Sequence, residues 1–257
     1  MASKYNNSLV YIPMRADIVH PALIKIIDKG ASFGKVIIGL LTDEAICSYT
    51  RPPQLSFSER KSVLEYIKNV YQIIPQESLD CSDNLLKIKP DILLHGDDWK
   101  EGFQSQLREK AIKILNKWGG KVFEIPYDKK NNPLKINKIS SELGTTSEKR
   151  RVTLRKLLAA KEITRVIEVH SALTGNIAEF VSHQTEGGLV KEFDAMWASS
   201  LTDSTMRAKP DIEAVDISTR ISTLNEIFEV TTKPMIFDGD TGGKPEHLSF
   251  TIKSLER

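Results

Sequence analysis

Residues 11–27 read YIPMRADIVHPALIKII. An apolar strand gives way to a turn carrying Asp17 and His20, and Pro21 then opens a helix. Such a turn aims backbone N–H groups and the positive end of the helix dipole at an anion. An imidazole in it can stabilise charge that builds on a transferring phosphate. The same rhythm extends outward from this stretch. SLVYIP, KVIIGLL, YQIIP, DILLH and KVFEIP are short, β-branched and bounded by turn residues. Between them lie PALIKIIDKG, SFSERKSVLEYIKNV, DNLLKIK and FQSQLREKAIKILNKWGG, which have helical spacing, the last stopping at Gly119 and Gly120. Strand–helix alternation with short connections predicts an α/β fold on a parallel sheet, with ligands collecting beyond the carboxyl ends of its strands. Asp97, Asp98 and Trp99 sit at one such end, in KPDILLHGDDWKEG, where a ribose hydroxyl, a metal or a base would meet them.

Composition bounds the alternatives. The 257 residues are 40% hydrophobic and 27% charged, as in an ordinary globular protein, and the formal charge of +2 argues for neither nucleic acid nor membrane as partner. No apolar run approaches the roughly 18 residues of a membrane span, and MASKYNNSLVYIPM lacks the pattern of a secretory signal. Cys47 and Cys81 match no metal spacing and read as reduced thiols, so a cytoplasmic location is expected.

Polar turn formers in DKKNNPLKINK interrupt the alternation and read as a linker. A helix follows around TTSEKRRVTLRKLLAAKE. Its basic residues, Lys149, Arg150, Arg151, Arg155 and Lys156, are expected to form a solvated face opposite Val152, Leu154, Leu157 and Leu158. The alternation then resumes with TRVIEVHSALTGNIAEF, a strand and helix joined by a loop with Ser171 and Gly175. EFDAMWASSLTDSTMRAKPD is a strand followed by a loop to Asp211, and PMIFDGDTGG is a strand ending in Asp238 and Asp240. Residues two apart on an extended segment point the same way, so Asp238 and Asp240 can face one cation, although an Asp-x-Asp pair taken alone reads better as solvated turn acids. Hard oxygen ligands suit Mg²⁺.

Two resemblances sharpen this. Residues 8–127 resemble the glycerol-3-phosphate cytidylyltransferase family through LLTDEA, SFSERKSVLEYIKNV and above all PDILLHGDDW. That likeness implies CTP, a divalent cation and an alcohol or phosphonate acceptor, with Asp17, His20, Asp97, Asp98 and Trp99 at the nucleotide. Where the family has His-x-Gly-His, the chain reads HPAL, with Ala22 for the glycine and Leu23 for the second histidine. A Cβ crowds the nucleotide and leucine carries no donor, so the site is expected to be degenerate and transfer impaired. The family's late Ile-Ser-Ser/Thr-Thr motif is also missing near NNPLKI; ISSEL reads as a chance echo.

From Thr146 onward, EVHSALTG, DAMWASSLTDST, KPDIEAVD and DGDTGGKPEH resemble phosphoenolpyruvate mutase of the isocitrate lyase superfamily. The likeness implies a TIM-type (β/α)8 barrel, of which this chain holds the first three βα units, and interconversion of phosphoenolpyruvate and phosphonopyruvate in phosphonate biosynthesis. It further implies that Trp197, Ser199, Ser200 and Leu201 line the substrate pocket, that Asp211 receives or orients the phosphoryl group, and that Asp238 and Asp240 hold Mg²⁺. The family continues with Glu-Asp-Lys on a fourth strand, a Lys-x-Asn segment, and a later arginine and histidine. Their positions lie past Arg257, so a C-terminally truncated chain with impaired activity is expected. The expected division is 1–128 for the nucleotidyltransferase-like domain, 129–150 for the linker and 151–257 for the partial barrel. A homo-oligomer acting on a small molecule is expected. The alternative is a CTP-dependent nucleotidyltransferase, or a non-catalytic nucleotide-binding or oligomerisation module.

Overall fold

Strand β1 (Ser8–Met14) runs through the middle of a five-stranded sheet, with Val10, Tyr11 and Ile12 wholly buried. Its neighbours are β2 (Gly34–Leu41), paired in parallel along the full length of β1, and β4 (Ile92–Gly96), paired in parallel through Val10 and Tyr11. β3 (Val70–Gln76) and β5 (Lys121–Ile125) close the order β3-β2-β1-β4-β5, all parallel. These facts come from a computed structural model, which describes residues 8–126, 145–185 and 189–256. The chain divides into two compact units, one of residues 1–134 and 184–189, the other of 135–183 and 190–257.

Alternation along β1 sends its side chains into two cores. Val10 and Ile12 pack with Leu23 and Ile27 of α1 (Pro21–Ala31) and Leu64 of α3 (Phe57–Glu65). Tyr11 points the other way, to Leu85 of α4 (Ser82–Ile88) and to Ala111, Ile114 and Leu115 of α5 (Gln104–Leu115). A short helix, α2 (Asp43–Cys47), follows β2. The buried Tyr11 hydroxyl donates to Gln76 Oε1 at 2.6 Å and accepts from Asn84 Nδ2 at 2.9 Å. Burial leaves that phenol harder to ionise than a free tyrosine. Gly39 is what makes room for it, because a Cβ there would lie 1.8 Å from the hydroxyl oxygen. The strand order reverses direction between β1 and β4, so the crevice beyond their carboxyl ends is where a sheet of this kind takes its ligand. The expected α/β fold on a parallel sheet is therefore the one found, with a Rossmann-like strand order.

The first described element of the second unit is α6 (Ser147–Ala160), which starts inside the expected linker; residues 129–144 of that linker lie outside the described residues. The apolar stripe expected on α6 is only partly used. Leu157 is buried, whereas Val152 and Leu158 are exposed. Arg150 is not on a solvated face either: it donates to the Phe228 and Thr231 carbonyls at 2.7 and 3.0 Å. β6 (Val166–Glu168), β9 (Ala195–Ala198) and β10 (Met235–Phe237) form a three-stranded parallel sheet in the order β10-β9-β6. One face is covered by α7 (Ala172–Phe180) and α9 (Ile217–Glu229), where Met196, Val169, Ala178 and Ile227 form the core. On the other face Trp197 and Ile236 sit side by side in register, 43% and 41% exposed. The stretch read as one strand from Glu192 is in fact two, because β7 (Ser182–Gln184) and β8 (Val190–Glu192) pair separately. α8 (Ser200–Met206) and α10 (Leu248–Leu255) complete the unit. Among the described residues no helix is long and apolar enough to cross a membrane.

Candidate functional site

At the switch point of the first unit, His20 precedes α1 in an extended conformation and makes no capping hydrogen bond. Its Nδ1 is buried without a partner among the described residues, and so is Nε of Arg15, on the same loop. Burial pushes the His20 imidazole below its usual range. Asp17 already has its carboxylate oxygens engaged. Its Oδ1 accepts from the backbone N–H groups of Gln54 and Leu55 at 2.7 and 3.2 Å, and Oδ2 from Arg15 at 3.3 Å. Leu23, in place of the second histidine, is only 6% exposed and belongs to the core.

The end of β4 needs a correction. Asp97 and Asp98 open a four-residue 3-10 turn, but Trp99 is 3% exposed and cannot stack on a base. Its ring lies parallel to that of His95 at 4.1 Å, and its indole N–H donates to Glu124 Oε1 at 2.8 Å. An indole this large gains most by burial when its one donor finds a partner, and Glu124 supplies it. Glu124 also takes Arg108 at 2.6 Å and Lys100 at 3.1 Å. Sequence reading missed it, although a glutamate following the apolar pair Val122–Phe123 near the carboxyl end of β5 was the available signal. The Arg108 hydrogen bond, with those of Trp99 and Lys100, outweighs burial and holds the Glu124 carboxyl at about 2. A depressed carboxylate pKa stabilises the fold above its unfolded value of about 4.5, and that stability is lost as pH falls toward 2. Acid unfolding of Glu124→Gln, followed by fluorescence, should therefore be less steep between these pH values than that of the parent.

In the second unit the expected residues converge in part. Ser200 starts α8 and is nearly buried; both its N–H and its hydroxyl reach Asp238 Oδ2, at 3.1 and 2.9 Å. The same hydroxyl lies 3.4 Å from Asp211 Oδ2. Two carboxylates from separate loops thus flank one side-chain hydroxyl. Ser199 is the helix cap, accepting from Thr202 N–H, while Leu201 is exposed on the first turn. Trp197 stands on the uncovered face of the sheet. Burial pushes the Asp238 carboxyl up, but the Ser200 and Asp240 N–H groups, the Ser200 hydroxyl and the Arg220 charge outweigh it, leaving it below the usual carboxylate range.

The expected Asp238–Asp240 cation pair is not formed. Extended backbone ends at Phe237, and Asp240 has a left-handed φ of 55°. The two-residue periodicity that would align the acids stops with the strand. Asp240 Oδ2 instead accepts from Glu213 N–H at 2.9 Å, and Asp238 Oδ1 from Asp240 N–H at 2.9 Å. Among the described residues no three His, Cys, Asp or Glu side chains gather as a metal site. The two acids are thus held by separate partners, Asp238 by Ser200 and Asp240 by Glu213.

Residues 13–143 match the family model described as cytidylyltransferase-like, and residues 154–257 the one described as phosphoenolpyruvate phosphomutase. The chain is similar to a glycerol-3-phosphate cytidylyltransferase of Bacillus spizizenii, 30% identical over 89 residues, which are 34% of this chain and 69% of that protein. It is similar also to an FAD synthase of Ferroglobus placidus, 26% identical over 100 residues, 38% of this chain and 66% of that protein. The aligned region thus spans about two thirds of each relative's length. A solved structure of a lipopolysaccharide core biosynthesis protein from Thermoplasma volcanium aligns over 47% of this chain and 98% of its own, with 22% identity and a TM-score of 0.41.

Proposed function

The chain belongs to the cytidylyltransferase-like family, and from that premise we propose that its two units carry sites of different kinds. The first keeps a nucleotide crevice with little transfer chemistry. The second performs phosphoenolpyruvate mutase chemistry, interconverting phosphoenolpyruvate and phosphonopyruvate, on what we take to be the opening βα units of a (β/α)8 barrel, with the boundary between the two in residues 129–150. One observation carries this reading: the Ser200 hydroxyl lies within reach of both Asp238 and Asp211. In the reaction the phosphoryl group leaves the enol oxygen and forms a bond to the methylene carbon, so the atoms of the substrate are conserved. Asp211, on the exposed loop, is placed to receive or orient that group. Ser200 presents a donor to the carboxylate or enolate oxygens, and Trp197 lines the floor. Because the activity of residues 1–257 is expected to be impaired, phosphonopyruvate incubated with the protein in magnesium-containing buffer should give the ³¹P signal of phosphoenolpyruvate only slowly; a spectrum that never changes on long incubation removes the reading.

A second activity is favoured by the orphaned Arg15 Nε and His20 Nδ1 at the switch point of the first sheet. A buried donor such as Arg15 Nε is costly without a partner and suits an anion, as does His20 in the tautomer that protonates Nδ1. Calorimetry should register CTP binding, while pyrophosphate release with glycerol 3-phosphate or 2-aminoethylphosphonate stays at background because Leu23 supplies no donor. Absence of any binding heat removes the nucleotide reading.

A further inference from the structure

Asp238 is held at every polar atom. Its N–H donates to the Ala198 carbonyl at 3.0 Å, its carboxylate takes Ser200 and the Asp240 N–H, and its carbonyl accepts from Arg220 Nη2 at 2.7 Å. Arg220 belongs to α9, is 6% exposed, and lays its guanidinium over the Phe237 ring at 4.5 Å. Its Nε lies 3.4 Å from Asp203 Oδ2, close enough for an ion pair though not aligned as a hydrogen bond. Asp203, on α8, pairs also with Arg207, and Arg207 reaches across to Thr223 of α9 at 3.0 Å. Ser199, Asp203, Arg220 and Phe237 line one small cavity.

From this we infer that Arg220 is a positioning residue: through Asp238 and Asp203 it ties the end of β10 to α8 and so sets the separation of Asp238 from Ser200. The inference rests on reading Ser200, Asp211 and Asp238 as the reactive site. The charges support it. Arg207 and Arg220 balance Asp203 and Asp238, and a buried guanidinium tolerates its loss of water only with such partners. Its planar fork can address a carbonyl and a carboxylate together, which a lysine ammonium cannot do in the same geometry. The β9–β10 ladder, continued by the Asp238 N–H on the Ala198 carbonyl, sets the register of the two segments, and Arg220 adds the tie that fixes the Asp238 carbonyl against α8.

The test compares Arg220→Met, Arg220→Lys and Asp203→Asn with the parent, by crystal structure and by kinetics. In Arg220→Met the Ser200 hydroxyl should move out of hydrogen-bond range of Asp238. The kcat for phosphonopyruvate should fall about 100-fold, the effect of roughly ångström-scale misplacement, with KM changed less than about threefold. Guanidinium ion in the assay should restore part of the rate. Arg220→Lys and Asp203→Asn should fall between. An Arg220→Met crystal that keeps both Ser200–Asp238 hydrogen bonds overturns the inference, whatever reaction the protein performs. A parent with no conversion would remove the mutase reading alone and leave the crystal comparison to decide this one. Where Arg220→Met yields no folded protein, unchanged geometry and rate in Arg220→Lys overturn it equally.

Discussion

Asp238→Asn should lower kcat for phosphonopyruvate about 1,000-fold, while Asp240→Asn should lower it less than about tenfold. The asymmetry follows from where the two carboxylates point. Asp238 faces Ser200 and, across its hydroxyl, Asp211. Its negative charge fixes the direction in which that hydroxyl donates, since one O–H can serve only one of the two acids. An asparagine of the same shape retains an oxygen but loses the charge, and its NH₂ group competes with the Ser200 donors. Asp240 accepts from Glu213 N–H on a turn whose other ties include Glu213 to Gly243 N–H at 2.6 Å. Its replacement loosens that turn and leaves the Ser200 cluster intact. Equal losses in the two variants would restore the two-carboxylate grip on a cation and overturn the separate roles of the two acids. Folded content, checked by circular dichroism, separates either outcome from unfolding.

Arg60→Ala should destabilise the first unit by about 3–5 kcal/mol, the usual effect of breaking a buried ion pair from one side. Arg60 is wholly buried. It donates to Asp43 at 2.6 Å, to the Arg15 carbonyl at 2.6 Å and to the Leu55 carbonyl at 3.2 Å. Its removal strands three acceptors and opens a void beside Leu64 and Phe57. The loops it joins are the one after β1, which bears Asp17 and His20, and the one before α3. CTP binding should therefore weaken together with stability. Urea unfolding read by the fluorescence of the buried Trp99 gives the number. Arg60→Lys should recover only part, because an ammonium cannot reach all three acceptors in one plane. A loss below about 1 kcal/mol in Arg60→Ala would show that these bonds are replaced by water at little cost.

How far the sequence could be read differs between the units for identifiable reasons. In the first unit apolar runs such as KVIIGLL and DILLH are longer than half a turn of ambiguity, and Ile37 to Leu41 are buried as such runs require. The order of the strands was not in the pattern, since alternation alone does not say that β1 lies between β2 and β4. In the second unit the strands are three or four residues long. The split at residues 193–194 and the β7–β8 pair carry too little periodicity to detect. Trp99 misleads because an aromatic residue at a strand end looks alike whether it meets a base or a buried glutamate. Arg60 and Arg220 appear in the sequence as ordinary helix charges, and only packing shows them to be buried.

The linear chain by itself determined the alternation of strands and helices, the turn at His20, and which polar residues fall at strand ends, because these depend on neighbours within a few positions. Tertiary structure alone decided which way those residues face. Asp17 is drawn to the backbone of residues 54–55, Asp240 to Glu213, and Asp238 to Ser200 and Arg220. A carboxylate takes whichever donors the fold brings within about 3 Å, and donors far away in the chain leave no mark on the local sequence.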